Sequence, residues 1–218
     1  KYAVAGLIYS GFGGMLAGPA LLDILSGAVN PSGKLPDTWA KDYFDIPSSK
    51  NFYDCVDKTR LTADENIYVD TCYEEDIYVG YRYYETRESY DYTTREGENL
   101  TGLSYNDVVQ FPFGYGLSYT SFDWELENTI PTTVTAQDTL EWNVKVTNTG
   151  NVAGKDVVEL YYSAPYYSAA EGGSGLQKAG EVLGGFAKTK ELQPGETQNF
   201  TIEFLIDRVY LSQKDPFL

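Results

Sequence analysis

The stretch Leu140-Glu141-Trp142-Asn143-Val144-Lys145-Val146-Thr147-Asn148-Thr149-Gly150-Asn151 decides the fold of the second half of this chain. Apolar residues occupy every second position from Leu140 to Val146, which gives an extended strand one apolar side and one polar side. Asn148-Thr149-Gly150-Asn151 is a turn that ends the run. The alternation returns at Val158, Leu160 and Tyr162 after Gly154, and again at Phe200, Ile202 and Phe204 after the turn Pro194-Gly195. Short alternating strands separated by turn signals over about a hundred residues are the pattern of a β-sandwich.

Before Gly116 the character is different. Tyr2 to Tyr9 is a continuous apolar run, the pattern of a strand covered on both faces in a parallel sheet. Gly11, Gly13 and Gly14 make a loop, and Leu21, Leu22 and Leu25 at helical spacing predict a helix over 17–25, stopped by Gly27. Strand, glycine loop and helix in that order form an α/β unit. The loop lacks the spacing and the terminal Lys-Ser/Thr of a phosphate cradle. Residues 30–66 are rich in Pro, Ser, Asp and Lys and are expected to be long surface connections. Ile77 to Tyr84 has strand-like composition, with Arg82 among aromatics, expected to pair with Glu74, Glu75 or Asp76 or to stack on a ring. Residues 85–107 are polar and are expected to form another exposed excursion. The fold class expected is an α/β remnant over 1–116 followed by an all-β sandwich over 117–218.

Composition removes whole classes of function. The 218 residues carry 16 Lys+Arg against 32 Asp+Glu and no His, a formal charge of −16. No His means no Ser-His-Asp triad, no Cys-His dyad and no imidazole metal site within these residues. So negative a chain lacks the clustered cations that bind a phosphate backbone, which excludes nucleic acid as the expected partner. Hydrophobic residues make up 42%, enough for an ordinary globular core. Twenty Tyr and 21 Gly fit aromatic-rich strands joined by tight turns, and a Tyr-rich acidic surface also suits sugars. No apolar run approaches the roughly 20 residues of a membrane span, so no membrane is expected. No targeting segment stands in the sequence given, and a bacterial cytoplasmic and a secreted location both stay open. Cys55 and Cys72 lie in a loop, and spacing alone leaves their pairing open.

Four blocks in order resemble family 3 glycoside hydrolases, the β-glucosidase group. Asn30-Pro31-Ser32-Gly33-Lys34-Leu35-Pro36, after the helix ending Asp23-Ile24-Leu25-Ser26-Gly27, looks like the signature near the end of that family's second domain. Ile77-Tyr78-Val79-Gly80-Tyr81-Arg82-Tyr83-Tyr84 is similar to the next block, and Phe111-Pro112-Phe113-Gly114-Tyr115-Gly116-Leu117-Ser118-Tyr119 to the segment leading out of the domain. Val146-Thr147-Asn148-Thr149-Gly150 and Leu192-Gln193-Pro194-Gly195-Glu196 look like the fibronectin type III-like module that follows, an immunoglobulin-like sandwich. The resemblance implies the C-terminal part of an α/β sandwich domain over 1–116 and that module over 117–218.

What the resemblance implies about chemistry is mostly absence. Family members are retaining enzymes that use an Asp nucleophile and a Glu acid/base flanking the glycosidic bond. The nucleophile belongs to a barrel domain that these residues do not contain, and no residue here matches the acid/base motif. Phe122-Asp123-Trp124 echoes the nucleophile's surroundings, but it follows the Gly114-Tyr115-Gly116-Leu117 exit at the first strand of the sandwich, so Asp123 is expected to be an exposed strand residue. Adjacent Glu74 and Glu75 would raise one another's pKa as an acid/base needs, against the simpler expectation that Glu75 pairs with Arg82 or caps a turn. No catalytic residue is assigned; Glu75, Arg82 and Tyr81 are site-adjacent candidates for substrate binding. Leu16 stands where members commonly carry an acid in the loop before the helix, and Asp76 where a Gly usually follows the Glu. The 161–180 loop and Phe186-Ala187-Lys188-Thr189-Lys190 resemble members from anaerobic gut bacteria whose barrel comes last, and Ile206-Asp207-Arg208-Val209-Tyr210 matches the module's end only loosely.

No cofactor and no metal are expected, since Glu74-Glu75-Asp76 lacks the alternate spacing and glycine of a calcium loop. The sequons Asn99-Leu100-Thr101 and Asn199-Phe200-Thr201 matter only in a secreted eukaryotic protein, and a glycan at the start of the Asn199 strand would be awkward. Two functions from different classes fit. One is the non-barrel portion of a hydrolase of terminal β-linked glycosides, partnered by a β-linked oligosaccharide and a barrel; the other is a free-standing carbohydrate-binding or adhesion module. A structural fragment without activity of its own is consistent with the first. Sugar specificity and oligomeric state are not fixed by these residues.

Overall fold

The structure, a computed structural model, describes residues 6–50, 75–89, 104–131, 133–135, 137–164 and 178–206. Expectations for Cys55 and Cys72, Glu74, the Asn99 sequon, most of the 161–180 loop and the Asp207–Tyr210 end fall outside the described residues.

The alternating segments form two antiparallel sheets. Strands β3 (Phe122–Leu126), β4 (Thr139–Asn148) and β7 (Thr197–Leu205) pair in the order β3-β4-β7, and β5 (Val157–Tyr162) pairs with β6 (Val182–Lys188). In register, Trp124 faces Val146 and Val144 faces Phe200, which sets the even-numbered residues of the three-stranded sheet on one face. That face meets the second sheet around a single core of Val146, Val158, Leu192 and Ile202, with Phe122, Trp142, Val144, Leu160, Ala187 and Phe200 packed against it. The opposite face carries Glu125, Glu141, Lys145, Asn199 and Glu203, so the period-2 pattern has done what it predicts. Asp123 lies exposed on β3, opposite Thr147, as expected.

Strand β6 was hidden in the sequence by Gly184-Gly185. A side chain at Gly184 would press into the ring of Phe204, and one at Gly185 into Ile202. The glycines therefore let the second sheet approach the first closely. Asn148 is fully buried at the end of β4 with every polar group used. Its Nδ2 donates to the carbonyls of Val152 and Leu192, both at 2.8 Å, while Oδ1 accepts from Thr120 Oγ1 at 2.7 Å and Gly150 N at 3.1 Å.

The first half departs further from expectation. Helix α1 (Ala17–Leu25) forms as predicted, and Gly27, at φ +76°, ends it with its N–H on the Ile24 carbonyl. Of the strand expected over 2–9, only Gly6–Tyr9 lie among the described residues: they have no ladder, and Leu7, Ile8 and Tyr9 are exposed. A strand exists only with a hydrogen-bonding neighbour, and no described segment bonds to this backbone, although the Tyr9 ring meets that of Trp39 edge-on at 4.9 Å. β1 (Trp39–Ala40) pairs with β2 (Val109–Phe111), and the 3-10 turn Tyr43–Asp45 is capped by the Asp42 carboxylate on Phe44 N–H.

Ile77–Tyr84, expected as a strand, and the start of the expected excursion are a turn and a helix. Tyr78 N–H closes onto the Glu75 carbonyl, and α2 runs over Tyr81–Ser89. The tyrosines suit either structure by propensity, and packing decides. Tyr84, 3% exposed, joins Val108 and Val109 in a second core with Ala40, Tyr83 and Tyr105, and Thr86 and Arg87 on the same helix are buried. The later end of the excursion is helix α3 (Tyr105–Val108), whose Ser104 and Asp107 cap it reciprocally.

Candidate functional site

The expected site residues lie where the first half of the chain packs on the outer face of β5–β6. Tyr81, at the start of α2, sets its ring 4.8 Å from Phe113 and 5.8 Å from Tyr161. Its hydroxyl oxygen accepts the Leu183 N–H at 2.8 Å. One turn and a half later, Thr86 Oγ1 accepts the Gly180 N–H at 2.7 Å. Two side chains of one helix thus satisfy backbone donors at Gly180, just before β6, and at Leu183 within it.

Arg82 lies close enough to Tyr162 for its charge to oppose the rise that burial imposes on that phenol. The expected Arg82–Glu75 ion pair is absent among the described residues, whose pairs are Lys34–Asp156, Lys145–Glu125 and Lys190–Glu196. Glu75 is half-buried, and its backbone carbonyl, not its carboxylate, closes the turn to Tyr78; Asp76 within that turn has φ +53°. Of the three candidates, Tyr81 and Arg82 reach the β5–β6 sheet, and Glu75 stays in the turn before them.

Below Tyr81, the Tyr161 hydroxyl donates to Glu159 Oε2 at 2.8 Å. Burial pushes the Tyr161 phenol up, and the bond to Glu159 adds to the rise. A phenol held protonated in this way is a hydrogen-bond donor rather than a base. The Glu159 carboxylate rests on the backbone of Gly114, where a side chain would collide with it. Within the described residues no cluster of three or more His, Cys, Asp or Glu is arranged to hold a metal ion.

A second set of contacts gathers on Asn30–Lys34. The Asn30 amide donates to the Ala153 carbonyl at 3.0 Å and accepts from Ser118 Oγ at 3.0 Å and Tyr119 N–H at 2.8 Å. Lys34 Nζ pairs with Asp156 Oδ1 at 3.0 Å, and the other Asp156 oxygen accepts Trp124 Nε1–H at 3.0 Å. Lys188 Nζ donates to the Ser32 carbonyl at 3.0 Å. Gly33–Leu35 runs beside Gly114–Tyr115 through two backbone bonds of 2.8 Å, so close that any side chain at Gly116 would strike the Gly33 carbonyl. The block Asn30–Pro36 is thus built for holding: the Asn30 amide, the Ser32 carbonyl, the Lys34 ammonium and both backbone groups of Leu35 are committed to protein. The sequence marked the block but gave no sign of Asp156, its buried partner 122 residues away.

Residues 1–81 match the family model described as "Glycosyl hydrolase family 3 C-terminal domain". Over these residues the chain is of the glycosyl hydrolase family 3 kind. Over 206 residues it is 41% identical to Beta-glucosidase A of Butyrivibrio fibrisolvens, covering 89% of this chain and 21% of that protein. Over 203 residues it is 39% identical to Beta-glucosidase of Ruminococcus albus, covering 93% and 17%. The solved beta-glucosidase of Paenibacillus barengoltzii superposes with a TM-score of 0.67 at 42% identity, over 90% of this chain and 17% of that one. Beta-glucosidase 3B of Thermotoga neapolitana, solved with alpha-D-glucose, superposes with a TM-score of 0.60 at 33% identity, over 87% and 21%. The chain therefore spans about a fifth of the length of the curated relatives it matches. The Asn30, Ile77 and Phe111 blocks all make contact with the β5–β6 sheet, through Ser32–Lys188, Tyr81–Tyr161 and Gly114–Glu159.

Proposed function

We propose that this chain is the non-barrel portion of a β-glucosidase-type family 3 hydrolase, in which residues 1–116 complete an α/β sandwich domain and residues 117–218 form a fibronectin type III-like sandwich. The parent hydrolyses terminal β-linked glycosides with retention, through an Asp nucleophile and a Glu acid/base outside these residues. The chain's part is to shape one wall of the cleft and to brace the neighbouring domains. Tyr81 positions the sheet beneath that wall, with Arg82 and Glu75 beside it. The observation that carries this reading is the 41% identity to a beta-glucosidase over 206 residues that make up only 21% of that protein. It is supported by α1, which buries none of its residues, and by Phe12 and Met15, which are 108% and 99% exposed. Apolar side chains in that number belong under further protein.

The test is the intact mass of the native protein from its source, mapped by peptides on both sides of this segment, with turnover of an aryl β-glucoside. The expected result is a chain far larger than 24.3 kDa that contains barrel peptides and turns over the glycoside, while the 218-residue chain alone does not. The side on which the barrel peptides fall tests the barrel-last order. A native mass near 24.3 kDa without turnover overturns the reading and leaves a carbohydrate-binding module, tested next by retention on immobilised β-glucan. Turnover by the isolated chain that disappears in Glu75→Gln overturns it in the opposite direction.

A further inference from the structure

We infer that Asn30 and Tyr119 couple the sandwich to helix α1, so that the helix keeps its position only while the sandwich is folded. The inference deepens the bracing role just proposed, but its test needs no barrel and no substrate. Helix α1 has no fully buried residue; its apolar face of Ala17, Leu21 and Ile24 is only half-covered, so the usual source of helical stability, a face packed on a core, is weak among the described residues. Nine residues are also too few for a helix to persist by propensity alone, since isolated helices shorter than about 12–15 residues are marginal in water. What fixes the helix is its C-terminal end. The Tyr119 hydroxyl donates to the Ile24 carbonyl of the last turn at 2.9 Å, on the oxygen that also accepts the Gly27 N–H. The Ser26 and Gly27 N–H groups bond back to Leu22 and Ile24, and Val29 N–H to Asp23. Asn30 then ties the chain to Ala153, Ser118 and Tyr119.

The geometry makes Asn30 a two-ended connector. Its amide nitrogen holds the loop between β4 and β5, and its oxygen holds the backbone of Tyr119, the residue whose side chain caps α1. A side chain at Gly154 would strike the Asn30 amide and the Thr120 methyl, so the sandwich has been left hollow where the connector enters. Neither Asp nor Ala reproduces this pattern. Asp lacks the donor for Ala153, and Ala lacks both ends.

Hydrogen exchange followed by mass spectrometry on the 218-residue chain tests the coupling. In the parent sequence, peptides covering 17–29 are expected to be protected at least tenfold over the same peptides free in solution. In Asn30→Ala, and more mildly in Tyr119→Phe, exchange over 17–29 is expected to rise about tenfold while peptides covering 140–148 keep their protection. An unprotected α1 in the parent sequence overturns the inference, because the sandwich would then not be holding the helix. Unchanged exchange over 17–29 in both variants overturns it too. Equal acceleration of 17–29 and 140–148 would make Asn30 an ordinary stabilising residue and also reject the coupling. Tyr119→Phe loses one hydroxyl and nothing of the core, so the experiment stays decisive if Asn30→Ala fails to fold. None of these outcomes depends on whether the native protein contains a barrel.

Discussion

The Tyr81 hydroxyl oxygen accepts the backbone N–H of Leu183 at 2.8 Å, at the place where the register between β5 and β6 slips. Leu160 pairs with Gly185 but Tyr161 pairs with Leu183, so Gly184 is an extra residue in β6. A bulge of this kind leaves the local ladder incomplete. Here a side chain from a helix in the first half of the chain supplies the missing acceptor. The same ring packs on Phe113 and Tyr161, so one tyrosine both covers the sheet and repairs it.

Tyr81→Phe keeps the ring and removes only the acceptor. The Leu183 N–H is then left part-buried without a partner, which costs about 1–2 kcal/mol. Urea denaturation should show a lower midpoint with an unchanged slope, because the surface exposed on unfolding is the same. A variant with the parent midpoint would mean that another group or water takes the bond.

Asn148→Leu is expected to be far more damaging than its apolar character suggests. The new side chain strands the buried Leu192 carbonyl and, part-buried around it, the Val152 carbonyl, the Thr120 hydroxyl and the Gly150 N–H. Leaving even two of these unsatisfied costs about 2–6 kcal/mol, a large part of a typical domain's stability. The measurement is the thermal midpoint, which should fall well below that of Val146→Ala, a simple cavity in the same core.

The contrast between those two sites shows what the sequence made legible. Strict alternation at Leu140–Val146 and Phe200–Phe204 has one structural solution, and it is the one observed. Asn148 was visible as a turn residue, whereas its burial depends on Val152 and Leu192, which no local pattern connects to it. The tyrosines of Ile77–Tyr84 were ambiguous for a related reason. Aromatic residues at positions 78, 81 and 84 satisfy a strand's propensity and a helix's spacing together, and only α3 and β2 settle the choice. Gly6–Tyr9 failed in the other direction, since a strand sequence without a hydrogen-bonding neighbour among the described residues has no ladder to join. The site residues were found by their block and not by their chemistry: Tyr81 turned out to be committed to the backbone, and Asp156 had no sequence signal at all.

Alkaline pH should loosen the α2 side of the molecule. Burial, with Tyr83 and Asp45 adding, pushes Tyr84 up to about 12, and burial also raises Tyr161 and Tyr162. An unfolded tyrosine ionises near 10. Between that value and the folded one, the unfolded chain holds fewer protons than the native one, so stability falls as pH rises. It is fully present below about pH 10 and is lost progressively as pH approaches 12. A spectrophotometric titration should show a late group of tyrosinates appearing together with loss of the folded circular dichroism signal. Full ionisation near pH 10 with the fold intact would contradict the buried placement of Tyr84.

Gly116→Ala is predicted to separate the two backbone strings that hold the Asn30–Pro36 block. A methyl group there collides with the Gly33 carbonyl, which is backbone and has no rotamer to escape into. The two hydrogen bonds that Leu35 makes to Tyr115 and Gly114, each 2.8 Å, lie next to the collision. Overpacking of this sort costs about 1–3 kcal/mol. The accompanying sign is local: Lys34 should lose its hold on Asp156, and the fluorescence of Trp124, which shares that carboxylate, should change. Gly33→Ala is the control, since a side chain at that position meets open space.

Limited proteolysis of the 218-residue chain should begin before α1. No hydrogen bond among the described residues ties down the backbone of 6–12, and Leu7, Phe12, Met15 and Leu16 all stand exposed. A protease needs an extended, accessible backbone, and stretches with few contacts open at almost no free-energy cost. The sandwich offers the opposite: Val146 and Leu192 have no exposed surface, and β4 is hydrogen-bonded on both sides, to β3 and β7. Chymotrypsin at low ratio should therefore cut first after Tyr9, Phe12 or Leu16 and leave a fragment that contains 140–206 intact. Sequencing the first fragments by mass spectrometry distinguishes the cases. Equal protection of both halves would show that residues 6–16 are covered by this chain itself, which would remove the exposed edge on which the partner-domain reading leans.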